Sequence, residues 1–133
     1  MSVDIDWAAL RSAAAEAAVN AYAPYSGLHV GAAALTDDGR IITGVNVENA
    51  SFGLTLCAEV SLIGGLVTGG GGRLVALVAT DENGRLLSPC GRCRQILLEM
   101  GGPDLAVNET WTAATLLPGA FVADDIPADP SAQ

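Results

Sequence analysis

A three-layer α/β/α sandwich is the fold class that the order of elements predicts. Three observations carry it. An early stretch has helical apolar spacing, two strand-like runs are joined by tight-turn chemistry, and a strongly apolar run sits between two further helical segments. At 133 residues the chain is long enough for one real core and too short for two. We assign residues 1–123 to one domain and 124–133, acidic and Pro-containing, to a flexible tail.

Residues 6–22 place Trp7, Leu10, Ala14, Ala17, Ala18 and Tyr22 near helical spacing. Asp6 caps the start of that helix, and Pro24 ends it because proline disfavours helix at the residue before it. Leu28 to Leu35 reads as a strand rich in small residues; Asp37-Asp38-Gly39 turns the chain, and Arg40 to Val45 returns as its partner. The single histidine, His29, lies in the first strand and reads as a strand residue, not a metal ligand. Asn46 and Glu48 then stand two apart, so in extended backbone they face the same way. Either they converge on a polar ligand or they are solvated turn residues.

Residues 57–67 form the second helix, apolar nearly all round and therefore buried. Gly64-Gly65 within it costs roughly 1 kcal/mol per residue relative to Ala, which close approach by another helix would offset. A second copy of the chain is the expected cover. The glycine-rich stretch 68–72 lacks the Lys-Ser/Thr ending of a phosphate loop and is a connection. Leu74 to Ala79 is a strand covered on both faces, followed by a turn at 81–85. Cys90 to Met100 forms the third helix, stopped by Gly101-Gly102-Pro103, with short strands near Leu105–Val107 and Trp111–Ala114.

Fifteen acidic against six basic residues leave a net charge of −9. Phosphate neutralisation needs Lys and Arg, so a nucleic-acid partner is disfavoured. The apolar runs are broken short of a membrane span, and the acidic opening Met1–Asp6 lacks a signal-peptide pattern, so the expected location is cytoplasmic. The chain's three cysteines then read as thiols or ligands, not as a disulfide framework.

Those cysteines carry the chemistry. Cys90 and Cys93, three apart at a helix start, can grip one ion; Cys57 supplies a third thiolate and has Glu59 beside it. Structural zinc sites are closed by four protein ligands, whereas catalytic ones keep a position for water. Three thiolates and a carboxylate read as an open zinc site, one ion per chain. Three thiolates on a dication leave net negative charge, and two helix N-termini, each worth roughly half a positive charge, offset it. Within a helix, Cys57 and Glu59 would project about 200° apart, so the site must lie off the helix end.

Cys57-Ala58-Glu59 with Pro89-Cys90-Gly91-Arg92-Cys93 resembles the cytidine deaminase family, in its small three-cysteine branch. Pro24-Tyr25-Ser26, Val30-Gly31-Ala32, Asn46-Val47-Glu48-Asn49-Ala50-Ser51 and Leu117-Pro118 with Phe121 look like further family landmarks in order. The resemblance implies a mixed five-stranded sheet, a homotetramer with sites shared between subunits, and zinc-dependent hydrolysis of cytidine and 2′-deoxycytidine to the uridines, with ammonia, in pyrimidine salvage. It implies Cys57, Cys90 and Cys93 as zinc ligands, with Glu59 protonating N3 as hydroxide attacks C4. Asn46 and Glu48 would hold the ribose, and the Ala58 N–H the base's O2. Leu28 and Phe52 stand where many relatives carry Phe and Tyr, and Phe121 would reach a neighbouring site. Val60 replaces a common Arg that steadies the thiolates; Arg92 and Arg94 are the available substitutes. The competing readings are a deaminase of a cytosine nucleoside antibiotic of the blasticidin S type and a non-catalytic zinc module.

Overall fold

A computed structural model describes residues 4–128. The expectations attached to Met1–Val3 and to 129–133, half of the acidic tail, lie outside the described residues. The elements run α1 (Trp7–Ala18), β1 (Val30–Thr36), β2 (Ile41–Val45), a 3₁₀ turn (Phe52–Leu54), α2 (Ala58–Thr68), β3 (Leu74–Asp81), α3 (Gly91–Gly101), β4 (Ala106–Val107), β5 (Trp111–Thr112), α4 (Ala113–Leu116) and a second 3₁₀ turn (Ala123–Asp125).

One five-stranded mixed sheet has the order β2-β1-β3-β4-β5. Both neighbours of β1 are antiparallel to it, β3 and β4 are parallel, and β5 returns antiparallel on β4. The side chains of β1 and β3 alternate between two cores, as the two-residue period of a strand requires. Ala33, Leu35, Ala76 and Val78 meet Leu10 and Ala14 of α1 on one face. Ala32, Ala34 and Leu77 meet Leu62, Leu66 and Leu97 of α2 and α3 on the other. The predicted α/β/α sandwich is the observed one.

Two glycines set how closely the helices sit on the sheet. A Cβ at Gly31 would overlap the carbonyl of Ala14 in α1, and one at Gly44 would overlap the backbone of α2 at Ala58 and Leu62. Gly64 and Gly65 are different: an added Cβ there meets open space, so no neighbour among the described residues explains them.

Two sequence boundaries need correction. The first helix stops at Ala18, not Tyr22. Tyr22 instead donates its N–H to the Asn46 carbonyl, and its own carbonyl accepts from Glu48 N–H. Those tertiary bonds pull the segment into a bridge beside Val47. The last strand ends at Thr112 because Thr112 caps α4: its Oγ1 accepts from Thr115 N–H, while Thr115 Oγ1 accepts from Thr112 N–H. Asp6 does cap α1, its Oδ1 accepting from Ala9 N–H at 3.0 Å. No helix among the described residues is long and apolar enough to cross a membrane.

Candidate metal centre and substrate cavity

Both halves of the cysteine set sit at helix N-caps. Cys57 (φ −69°, ψ 158°) precedes α2 and Cys90 (φ −67°, ψ 167°) precedes α3, each in extended backbone. Cys93 lies one turn into α3 and is fully buried. Because Cys57 is not itself helical, its side chain is not held to the helical 100° step from Glu59, and both line one cavity of about 340 Å³. Leu28, Asn46, Ala58, Ala79, Leu87 and Ser88 share that cavity with the three cysteines.

The three sulfurs lie within 4.8 Å of one another, and Cys57 Sγ is 3.7 Å from Cys90 Sγ. A tetrahedral zinc with bonds of about 2.3 Å sets its sulfurs about 3.8 Å apart. A disulfide needs them at about 2.05 Å. The observed pair therefore has the spacing of ligands around an ion. Soft thiolates with free helix N–H groups behind them suit zinc in chemistry as well.

The electrostatics point the same way. Burial, with the negative charge of Glu59 and the other cysteines, pushes the Cys93 thiol far above its ordinary value. Burial also raises Cys57. At Cys90 burial is outweighed by the Cys93 and Arg92 N–H groups and the neighbouring thiols, which favour its thiolate. They do so without forming a cap hydrogen bond. Burial and mutual repulsion therefore disfavour ionising all three thiols together, a cost that a bound cation would offset. Glu59 is 4% exposed, and burial raises its pKa despite partial relief from its own backbone N–H and Cys93. Burial thus raises the proton affinity of this carboxyl, the direction a proton carrier needs.

The remaining sequence candidates divide. Asn46, 8% exposed, lines the cavity, its amide oxygen accepting from Val30 N–H and its Nδ2 donating to the Leu28 carbonyl. Ala58 is the first residue of α2, so its N–H has no partner within the helix. Glu48 opens into an adjoining pocket with Tyr25, Ser26, Asn49, Phe52 and Thr55, and Thr55 lines both spaces. There the Glu48 carboxylate accepts from the Tyr25 and Ser26 N–H groups and from the Ser26 hydroxyl. Phe52 stands edge-on to Tyr25, ring centres 6.4 Å apart. Phe121 is brought to neither space: it borders a groove between α3 and α4, its carbonyl accepting from Gln95 Nε2. His29 lies outside the cavity, with Nδ1 3.0 Å from Glu82 Oε2.

The sequence model of the cytidine and deoxycytidylate deaminase zinc-binding region matches residues 6–109. The chain belongs to that family. Cytidine deaminase of Mycobacterium tuberculosis (strain H37Rv) is 54% identical over 127 residues, spanning 93% of this chain and 96% of that one. Cytidine deaminase of Halalkalibacterium halodurans is 40% identical over 121 residues, 85% of this chain and 92% of the relative. The crystal structure of the M. tuberculosis enzyme superposes with a TM-score of 0.87 at 54% identity, covering 90% of this chain and 99% of that chain. That of Mycobacterium leprae cytidine deaminase gives 0.83 at 56%, covering 86% and 99%.

Within this family framework the two arginines considered as substitutes at Val60 have structural partners. Arg92 Nη2 donates to the Thr55 carbonyl at 3.1 Å. Arg94 spreads its guanidinium over the Pro89 and Leu116 carbonyls and Ser88 Oγ. Both brace the ligand-bearing loops. Sequence reading missed Thr55, Ala79 and Leu87 as cavity walls, since nothing in an apolar strand end or an isolated Thr marks it as lining a site.

Proposed function

We propose that the chain is a zinc-dependent deaminase of cytidine and 2′-deoxycytidine, releasing ammonia. The observation that carries this reading is a buried Glu59 in the same cavity as three sulfurs at zinc-ligand spacing. Cys57, Cys90 and Cys93 would hold one zinc. When bound, the ion would supply Lewis acidity that lowers the pKa of water toward neutrality. Glu59, whose buried carboxyl has its proton affinity raised, would take one proton from water and pass it to N3 of the ring. It would then take a second from the hydroxyl added at C4 and pass it to the departing amino group, which leaves as ammonia. The unpaired Ala58 N–H offers a donor for the base's O2. Leu28 and Val30 give the base an apolar wall, in the cavity that Asn46 also lines. Glu48 and Asn46 face the ribose side, with Phe52 beside the nucleoside's 5′ end.

The assembly we propose is a homotetramer in which Phe121 completes a neighbouring subunit's site. Its support is the exposed apolar surface of the single chain: Phe121 is 59%, Phe52 78% and Leu54 65% exposed. Likewise, a Cβ added at Gly64 or Gly65 of α2 meets no neighbour among the described residues. A cytoplasmic place in pyrimidine salvage follows from the same reading. It accounts for Glu59, which a purely structural zinc module leaves without a purpose. The deciding assay is loss of cytidine absorbance with matching ammonia on adding zinc-loaded protein. Silence toward every cytosine nucleoside offered would overturn the reading.

A further inference from the structure

The turn joining β4 to β5 holds two successive non-glycine residues in left-handed backbone, Asn108 (φ 49°) and Glu109 (φ 70°). Asparagine visits that region more readily than most residues, yet an unusual conformation persists only where its surroundings enforce it. At Asn108 they do so strongly, because the residue is 2% exposed.

Its carboxamide occupies an uncommon place. Leu87 donates its N–H to the Ala79 carbonyl at 2.9 Å, as one half of a directly opposed antiparallel pair. The other half of such a pair would run from Ala79 N–H to the Leu87 carbonyl. Asn108 intercepts it: Ala79 N–H donates to Asn108 Oδ1 at 3.0 Å, and Asn108 Nδ2 donates to the Leu87 carbonyl at 2.8 Å. Its own backbone N–H is anchored on the Leu77 carbonyl of β3. Ala79 and Leu87 both line the cavity with the cysteines, and Leu87 leads directly into Ser88-Pro89-Cys90.

We propose that Asn108 is a positioning residue for the metal centre: its amide, wedged between Ala79 and Leu87, holds that pair open and so sets where the Ser88-Pro89-Cys90 loop presents its thiolate. Without the wedge the missing Ala79–Leu87 bond can close directly, drawing the Leu87 carbonyl inward and tilting the loop. The inference rests on the reading of the three cysteines as zinc ligands. Partners one step removed from metal ligands typically change metal affinity by about 10- to 100-fold.

Zinc release to an excess of chromophoric chelator at pH 8 tests this on the zinc-loaded full chain. Asn108→Gly accepts the left-handed backbone while deleting the wedge. Asn108→Asp keeps the acceptor for Ala79 but, ionised, cannot donate to Leu87. Leu10→Val loosens the core on the far face of the sheet, where Leu10 packs with Ala33 and Val78. Both Asn108 variants, folded by circular dichroism, release zinc at least about tenfold faster than wild type, and Leu10→Val stays near wild type. Wild-type release from both variants overturns the proposal, as does equally fast release from Leu10→Val. Wild-type behaviour of Asn108→Asp alone overturns the role given to Leu87. A wild-type chain that takes up no zinc overturns the metal reading and this one with it.

Discussion

Cys57 Sγ and Cys90 Sγ stand 3.7 Å apart although 33 residues separate them. Each is the N-cap of its own helix, so one contact between α2 and α3 brings together two helix N-termini, two thiols and Cys93. The arrangement concentrates partial positive charge where an anionic metal centre forms.

Replacing Glu59 with Gln preserves the shape of the cavity wall and removes the carboxyl proposed to carry protons. Zinc content by metal analysis stays near one per chain, while kcat for cytidine falls by about 10²- to 10⁴-fold, the usual worth of a positioned acid–base group. Equal rates in the two proteins would refute the role of Glu59.

Stripping zinc with a chelator abolishes deamination and lowers the thermal midpoint, because the metal binds the folded chain and the separated cysteines of the unfolded chain bind it poorly. At a thousandfold excess over Kd, linkage amounts to about 4 kcal/mol. Calorimetry with and without added zinc checks the shift, and readdition restores both properties.

Gly44→Ala places a methyl group on the backbone of α2 at Ala58 and Leu62. Overpacking of this kind costs about 1–3 kcal/mol, and the displaced helix carries Cys57 and Glu59. Denaturant unfolding registers the loss, and kcat/KM falls with it. Gly64→Ala, with open space around its Cβ in the single chain, leaves the stability of the isolated fold unchanged or raised.

The Ser26 hydroxyl, with the Ser26 and Tyr25 N–H groups, holds the Glu48 carboxyl below its ordinary value of 4.5. A folded-state pKa depressed in this way contributes stability that is fully present above the unfolded value and is lost as pH falls through the folded one. The difference in thermal midpoint between wild type and Glu48→Gln therefore shrinks as pH is taken from 6 to below 4.5. A constant difference across that range would show that the Glu48 charge does not fasten the Tyr25–Ser26 loop.

Much of this was legible in the chain because the decisive signals are local. Small residues and the Asp37-Asp38-Gly39 turn in 28–45 announced the hairpin, and Cys-x-Glu with Pro-Cys-x-x-Cys announced the three sulfurs and the carboxyl that share one cavity. The early end of α1 was not legible, because it is set by hydrogen bonds between Tyr22 and the Asn46 and Glu48 backbone, partners far along the chain. The same holds for the walls supplied by Ala79 and Leu87 and for the Asn108 wedge between them. A buried asparagine in a hairpin turn carries no sequence mark that separates it from a solvated one.

X-ray absorption at the zinc edge of the loaded protein tests the central claim most directly. The account predicts three sulfur neighbours at about 2.3 Å and one light atom completing a four-coordinate shell. Four sulfurs, or a shell closed by a histidine nitrogen, would contradict it.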